Sequence, residues 1–338
     1  MIGIKDAGNK ASIIGNMVHT TLETISNLKK EWQKSTNSGD LSKNGILYKT
    51  ISNELGQFEV SESQFFGQEI LPNSDIDQIN TSRPKNYYSK AGQIAYGTKR
   101  RGRVFVNCLI KRSYEYYIKE NPSFNWTQED FNQTANLAWL TIEQFDPRDY
   151  EIVEAELDFD MPIDLPGCVI ELQGKKLAIR VKGFIDLVYK EGNQLGILDF
   201  KTGARKDWVS GKVKGIDELS DDLQLCLYYY VCCNLFPDKE ICVNILYVRD
   251  GGMYTVPISA NYIEEMENTI ESHLEEIRAC TLPKPLSSTQ SHFKCGYCHY
   301  SKSKTFGAEN DCATIYKSLQ RIGLDETTKK YSIKKDTK

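Results

Sequence analysis

One stretch, Ala178 to Lys201, limits what this chain can become more than any other: AIRVKGFIDLVYKEGNQLGILDFK. Two runs rich in β-branched and aliphatic residues flank Glu191-Gly192-Asn193, a turn signal, and the pattern predicts a β-hairpin. The first run holds Asp186 among Phe184, Ile185, Leu187 and Val188; the second holds Asp199 and Lys201 after Ile197 and Leu198. A carboxylate in an apolar strand is costly to bury unless its charge is compensated. Asp199 and Lys201 are two apart, so on a strand they share a face. A divalent cation between Asp186 and Asp199 would compensate both, because hard ions such as Mg²⁺ take oxygen ligands.

A chain of 338 residues buries a large core and has room for one elaborated domain or two. No apolar run approaches the roughly 20 residues of a membrane span, and the N-terminus lacks the apolar stretch of a signal peptide. An intracellular, cytoplasmic protein is expected, with no membrane partner. In that setting the ten cysteines read as reduced thiols or metal ligands rather than disulfides. Net charge is −4, so any nucleic-acid binding must come from local basic patches.

Read in order, Ala11 to Lys30 predicts an amphipathic helix, with Ile14, Met17, Val18, Leu22, Ile25 and Leu28 near helical period and Ser12 as a cap. His19 lies beside that stripe, with Glu23 one turn on. Residues 31 to 82 are rich in Ser, Asn, Asp and Gly and read as loops and short helices. Ser82 to Arg103 interleaves Arg83, Lys85, Lys90, Lys99, Arg100, Arg101 and Arg103 with Tyr87, Tyr88 and Tyr96. Cations for phosphates and rings for bases make it a candidate strand-binding surface; a solvated basic loop explains it equally. Lys111 and Arg112 would extend that patch along a helix from Val104 to Lys119. Trp126 to Phe145 predicts a further helix capped by Thr127, and Tyr150 to Asp160 an alternating strand whose acidic side includes Glu154 and Glu156.

After the hairpin, Ala204 to Gly215 reads as a mobile loop in which Arg205, Lys206, Lys212 and Lys214 would meet phosphates. Ile216 to Phe236 predicts one helix, with Gln224 and Tyr228 on one face. Ile241 to Val248 and Tyr254 to Ile258 predict strands joined at Asp250-Gly251-Gly252, and Tyr262 to Cys280 an acidic helix. Cys226, Cys232, Cys233 and Cys242 sit in apolar runs and read as core. Near the end come His292, Cys295, Cys298 and His299, then Cys312; C-x-x-C is metal-ligand spacing. From Asp325 onward the chain is polar, lysine-rich and expected to be disordered.

These residues resemble the motifs of the PD-(D/E)XK nuclease superfamily, above all its RecB-type branch, which includes the CRISPR-adaptation nucleases and recombination exonucleases. G-x-x-D then D-x-K is present as Gly183-Phe184-Ile185-Asp186 and Asp199-Phe200-Lys201, the latter inside DFKTG. Gly15 to Glu23 resembles G-x-x-x-H-x-x-L-E, and Gln224 to Tyr228 resembles Q-L-x-x-Y. The resemblance implies an α/β fold with a restriction-endonuclease-like core, a central mixed β-sheet flanked by helices. It implies a Mg²⁺ or Mn²⁺ ion held by His19, Asp186, Asp199 and the Phe200 carbonyl, with Lys201, Gln224 and Tyr228 around the reacting phosphate. Glu154 or Glu156 would fill the acidic position that members often carry before the first motif strand.

Some RecB-type nucleases hold an iron–sulfur cluster with one cysteine ahead of the histidine motif and three near the C-terminus. Cys295, Cys298 and Cys312 resemble those three, but no cysteine precedes His19 and the last gap is wider. The fourth ligand stays open among His292, His299, Cys280 and Cys108, as does zinc against a cluster. The layout read here is an N-terminal helix (1–30), a helical insertion with the basic stretch (31–150), a catalytic core (151–285), a Cys-rich metal-binding segment (286–322) and a basic tail (323–338). The expected activity is that of a DNA exonuclease in recombination, repair or phage DNA metabolism. The rivals are a non-cutting nucleic-acid-binding or structural module of the same fold and a hydrolase of small phosphoesters. No G-x-x-x-x-G-K-[ST] loop occurs, which leaves room for a helicase or recombination protein as partner.

Overall fold

The structure, a computed structural model, describes residues 9–38, 48–70, 99–163, 169–172, 175–207, 210–279 and 312–331. Two compact units divide the chain. The larger comprises Lys10–Asp207 and Lys212–Asn268; the smaller comprises Met1–Asn9, Trp208–Gly211 and Thr269–Lys338.

The larger unit opens with α1 (Lys10–Ser38), then a hairpin of β1 (Tyr48–Asn53) and β2 (Gly56–Ser61), short α2 (Glu62–Phe66), and β3 (Gln68–Ile70) paired with β4 (Lys99–Arg101). Two helices follow, α3 (Arg103–Glu120) and α4 (Gln128–Gln144). Next are β5 (Glu151–Pro162), a small hairpin of β6 (Val169–Leu172) and β7 (Lys175–Ala178), and the long hairpin of β8 (Arg180–Glu191) and β9 (Gln194–Lys201). After a loop come α5 (Ile216–Ser220), α6 (Leu223–Leu235), β10 (Ile241–Tyr247), β11 (Gly252–Val256) and α7 (Ala260–Ala279), whose start belongs to this unit.

The central sheet has five strands in the order β11-β10-β9-β8-β5. β9 and β10 run parallel and every other pair is antiparallel, so the sheet is mixed. One face packs Leu187, Tyr189, Leu198 and Phe200 against the apolar stripe of α1 and against α3 and α4. The other packs Ile185, Ile197, Val243 and Ile245 against Leu219 of α5 and Leu225, Tyr228 and Val231 of α6. Apolar residues thus point both ways from β8 and β9, as strands buried on two faces require. The expected α/β core with a mixed sheet between helices is the observed architecture, and the motif hairpin lies at its middle.

Several local expectations are corrected. Helix α1 begins at Lys10, so Ser12 lies inside it, and it runs on to Ser38. Part of the polar stretch 31–82 is the β1–β2 hairpin, stitched to α1 where Asn53 Nδ2 donates to Thr24 Oγ1 (2.9 Å). Arg112 does not extend a basic surface: its guanidinium donates to the carbonyls of Leu55 and Gln57. The single helix expected over 216–236 breaks in two at Asp221-Asp222, because the Asp222 side chain accepts the backbone N–H of Gln224 and restarts the helix. Thr127 caps α4 as expected, in a reciprocal capping box with Asp130.

In the smaller unit, α8 (Cys312–Tyr331) extends past Asp325, where disorder was expected, with Ile315 and Leu319 buried. Cys312 opens that helix; Cys280, His292, Cys295, Cys298 and His299 lie outside the described residues. So do Arg83, Lys85, Tyr87, Tyr88, Lys90 and Tyr96.

Candidate active site

The two central strands come apart where the carboxylates stand. Their ladder has Leu187 opposite Leu198 as its last pair, and the next free N–H, that of Phe200, donates to Asp186 Oδ2 (2.7 Å). On the other side of β8, the pair Leu157–Ile185 packs toward α6, whereas Ala155–Leu187 packs toward α1. Residues two apart normally share a face, so both strands turn over between these pairs, at Glu156 and Asp186. Glu156 takes a positive φ of 49°, uncommon for a residue with a side chain. Irregularities of this kind re-aim side chains beside functional sites.

Helix α1 supplies His19. Its approach depends on Gly15, where an added Cβ would lie 2.9 Å from Thr202 Oγ1, just past the end of β9. One turn on, His19 Nδ1 is 3.3 Å from Asp186 Oδ1 and its ring meets Phe200 edge-on at 6.1 Å. Burial pulls the imidazole pKa down, but the hydrogen bond and charge of Asp186, joined by Asp199, outweigh it and hold it above the ordinary value.

Asp199 is 2% exposed. Burial pushes its pKa up to about 6, and Asp186 adds to this while Lys201 opposes it. Lys201 Nζ sits 2.8 Å from Asp199 Oδ2 and donates to Oδ1 (3.0 Å) and to Gln224 Oε1 (3.0 Å). Gln224 Nε2 in turn donates to the Tyr228 hydroxyl (2.6 Å). Asp186, Asp199, Lys201, His19, Gln224 and Tyr228, separated by up to 209 positions in sequence (228 − 19), are therefore drawn into one connected set.

The donor chemistry fits a hard divalent cation. Two carboxylates face an imidazole, and Asp199 Oδ2 is buried without a well-aligned hydrogen bond. Among the described residues no three His, Cys, Asp or Glu side chains form a ready-made cage. Here His19 engages Asp186 and Lys201 engages Asp199, so the groups that would hold an ion neutralise one another.

Of the two acidic candidates on β5, Glu154 forms an ion pair with Lys30, whereas Glu156 feels the charges of Asp186 and His19. Two further carboxylates border this side. Glu23 follows His19 by one turn, and Glu54 sits at the β1–β2 turn. Burial, then Glu156 and Glu54, push the Glu23 pKa up to about 7. Its folded value exceeds the ordinary 4.5, so the folded state keeps this proton longer than the unfolded chain. Stability is lost as pH rises from about 4.5 to 7 and the loss is complete above that. Glu23→Gln should match wild type in urea unfolding at pH 4.5 and exceed it at pH 8 by on the order of 1 kcal/mol, allowing for the group's partial exposure.

The basic residues divide. Arg205 is fixed by Asp250 (3.2 Å), by the Lys214 carbonyl and over the Tyr254 ring (4.5 Å), and Lys214 pairs with Asp222 (3.2 Å). These contacts fasten the loop after β9 to β11 and α6. Lys206 stays exposed there. Lys99, Arg100 and Arg101 form β4, Arg103 opens α3, and Lys111 pairs with Glu115 (3.8 Å). Cys108 is exposed on α3. Glu54 is a group bordering the site that sequence reading passed over. It belongs to no motif, and the docking of β1–β2 on α1 brings it near.

A mixed sheet thus presents two carboxylates and a lysine on splayed central strands. The model of the PD-(D/E)XK nuclease superfamily matches residues 98–303. The chain belongs to that superfamily, a family of nucleases, and His19 lies outside the matched span. Among solved structures, a provisionally assigned exonuclease from Eubacterium rectale is similar over 64% of this chain and 84% of its own, with 16% identity and a TM-score of 0.32. A search of curated proteins returned no match. Among the described residues no helix is long and apolar enough to cross a membrane.

Proposed function

We propose that this protein is a divalent-metal-dependent DNA exonuclease that hydrolyses phosphodiester bonds in recombination, repair or phage DNA metabolism. The observation that carries the reading is the unbroken contact line from His19 through Asp186 to Phe200, together with that from Asp199 through Lys201 and Gln224 to Tyr228.

His19, Asp186, Asp199 and the Phe200 carbonyl are the groups that would hold Mg²⁺ or Mn²⁺. When bound, the ion supplies Lewis-acid relief of phosphate charge and an acidified water. Asp186 accepts the Phe200 N–H and so anchors the residue whose own carbonyl would be a further ligand. Lys201 is the cation of the set: held between Asp199 and Gln224, its ammonium would donate to the attacking water or to a phosphate oxygen. Gln224 steers that ammonium through Oε1 while Tyr228 fixes the amide, so the lysine points along one line. The burial of Asp199 keeps competing bulk water away from its carboxylate.

Activity should depend on pH with a definite sign. Asp199 holds its proton up to about 6 and His19 is raised above 6.5, and ligands must be deprotonated to bind a metal. At fixed Mn²⁺, cleavage and metal affinity should both rise from pH 6 to pH 8. The function is tested with end-labelled linear DNA and closed circular DNA, single- and double-stranded, and with RNA, each with Mg²⁺, Mn²⁺ or EDTA. Metal-dependent loss of linear DNA with circles untouched is the expected result. Cutting of closed circles would make the enzyme an endonuclease, and preference for RNA would replace the substrate.

A further inference from the structure

A cavity of about 780 Å³ lies beside the set just described, within the larger unit, with Gln224 and Tyr228 among its lining residues. Its size is that of a small-molecule site, about 300–1,000 Å³, rather than a channel for duplex. Leu223 and Leu227 of α6 give it an apolar side, and Leu223 is 40% exposed. Lys182 and Gly183 of β8 and Phe159 of β5 also line it. Gly183 is required there: a Cβ would lie 2.7 Å from Phe159 Cζ. The glycine lets the Phe159 ring lie across β8 and meet Tyr228 edge-on at 6.2 Å.

The charges in the lining discriminate between ligands. Four carboxylates, Asp207, Glu218, Asp221 and Asp222, outnumber two lysines, Lys182 and Lys214. Of these, Lys214 is already paired with Asp222, and Glu218 accepts the Gly215 N–H. A net acidic groove repels a run of phosphates. It accepts a neutral aromatic ring bearing amino N–H groups, for which carboxylates are good acceptors. Gln224 joins the groove to the chemistry, because it both lines the groove and holds Lys201.

We propose that this groove is a nucleobase site: it takes one unpaired base of a single-stranded end while the adjoining phosphate lies at Lys201. Placing that phosphate rests on the phosphodiesterase function proposed above. A base engaged in a duplex is stacked and paired, and reaches the groove only after unpairing. The chain therefore acts on single strands or frayed ends, and Leu223, Leu227 and Lys182 are positioning residues that hold the base.

The test uses the full chain in EDTA, where binding is measured without turnover, and single-stranded oligonucleotides in which one abasic residue is moved along the strand. Wild type should bind the strand about tenfold more weakly when the abasic residue occupies one particular position, the low end of what a held base contributes. Leu223→Glu and Lys182→Glu, both at exposed positions, should reduce that position effect to less than about twofold. Equal binding at every abasic position, or a position effect unchanged in both variants, overturns the proposal. Cleavage with Mg²⁺ or Mn²⁺ is measured separately. A position effect without cleavage would sustain the base site and refute the nuclease reading; cleavage without a position effect would refute the base site alone.

Discussion

Lys201→Ala and Asp199→Asn should each lower the single-turnover cleavage rate by about a hundredfold to a thousandfold, the range seen when one preorganised charged or donor group is removed from a reacting centre. Their stabilities should move apart. Asp199→Asn removes a carboxylate whose burial already holds its pKa up at about 6, so its unfolding midpoint should stay at or above wild type at pH 8. Lys201→Ala leaves that carboxylate buried without its cation, at a cost on the order of 2 kcal/mol at pH 8 after allowing for the lysine's partial exposure. Asp199 has a folded pKa above its unfolded value, and losing Lys201 raises it further. The penalty must therefore shrink as pH falls to about 5, where the carboxyl is protonated in the folded form of both wild type and variant. The double variant Asp199→Asn/Lys201→Ala should recover stability and remain inactive. That combination separates a failure of chemistry from a failure of folding; urea titrations at pH 5 and pH 8 beside the cleavage assay measure both.

Gly196→Val is expected to give the largest loss of stability, about 3 kcal/mol or more, at the upper end of what overpacking a core costs. Gly196 stands opposite Tyr189 across the motif hairpin, and a Cβ there would lie 2.4 Å from Tyr189 Cζ and 2.6 Å from Cε1. The ring cannot yield. Tyr189 is fully buried, enclosed by Phe145 and Tyr150 at 5.1 Å each, and its hydroxyl is held by Glu191 (3.2 Å) and Asn244 (3.1 Å). Displacing it would break the β8–β9 register that sets Asp186 against Asp199. Gly203→Ala, where nothing lies within 4 Å of the new Cβ, is the control and should stay within about 0.5 kcal/mol of wild type in thermal unfolding.

The motif hairpin could be read from sequence because its signals are local. Apolar runs, a turn and two misplaced carboxylates lie within 24 residues (178–201). Helix α1 was legible for the same reason, its stripe repeating at helical period over many turns. Residues 216–236 were misjudged because the apolar pattern continues across Asp222, and a capping side chain, not periodicity, ends one helix and starts the next. The β1–β2 hairpin escaped because its strands are polar and short, and its place is set by contacts with α1 and Arg112 far away in sequence. Arg205 shows the same limit. A basic residue in a polar loop suggests a phosphate contact, and its partners Asp250 and Tyr254 come to it from another hairpin, out of reach of any local pattern. What stayed hidden is the spatial partner of each charge.

The glycines of the motifs have a steric meaning that a pattern alone does not convey. Gly15 admits Thr202 and brings His19 to Asp186; Gly183 admits Phe159 and shapes the wall next to Tyr228. In both cases the missing side chain lets another element approach, with no special backbone angle required at either position.

The most direct test of the central claim is single-turnover hydrolysis of end-labelled DNA by wild type and Asp199→Asn, with Mg²⁺ or Mn²⁺ and with EDTA, alongside Mn²⁺ binding by calorimetry. The predicted result is hydrolysis that needs the ion, and loss of both hydrolysis and tight Mn²⁺ binding in the variant with an unfolding midpoint at or above that of wild type. Hydrolysis by Asp199→Asn within a few-fold of wild type, or no hydrolysis by wild type while it binds DNA, would contradict the assignment of Asp186, Asp199 and Lys201 as the centre of a working nuclease.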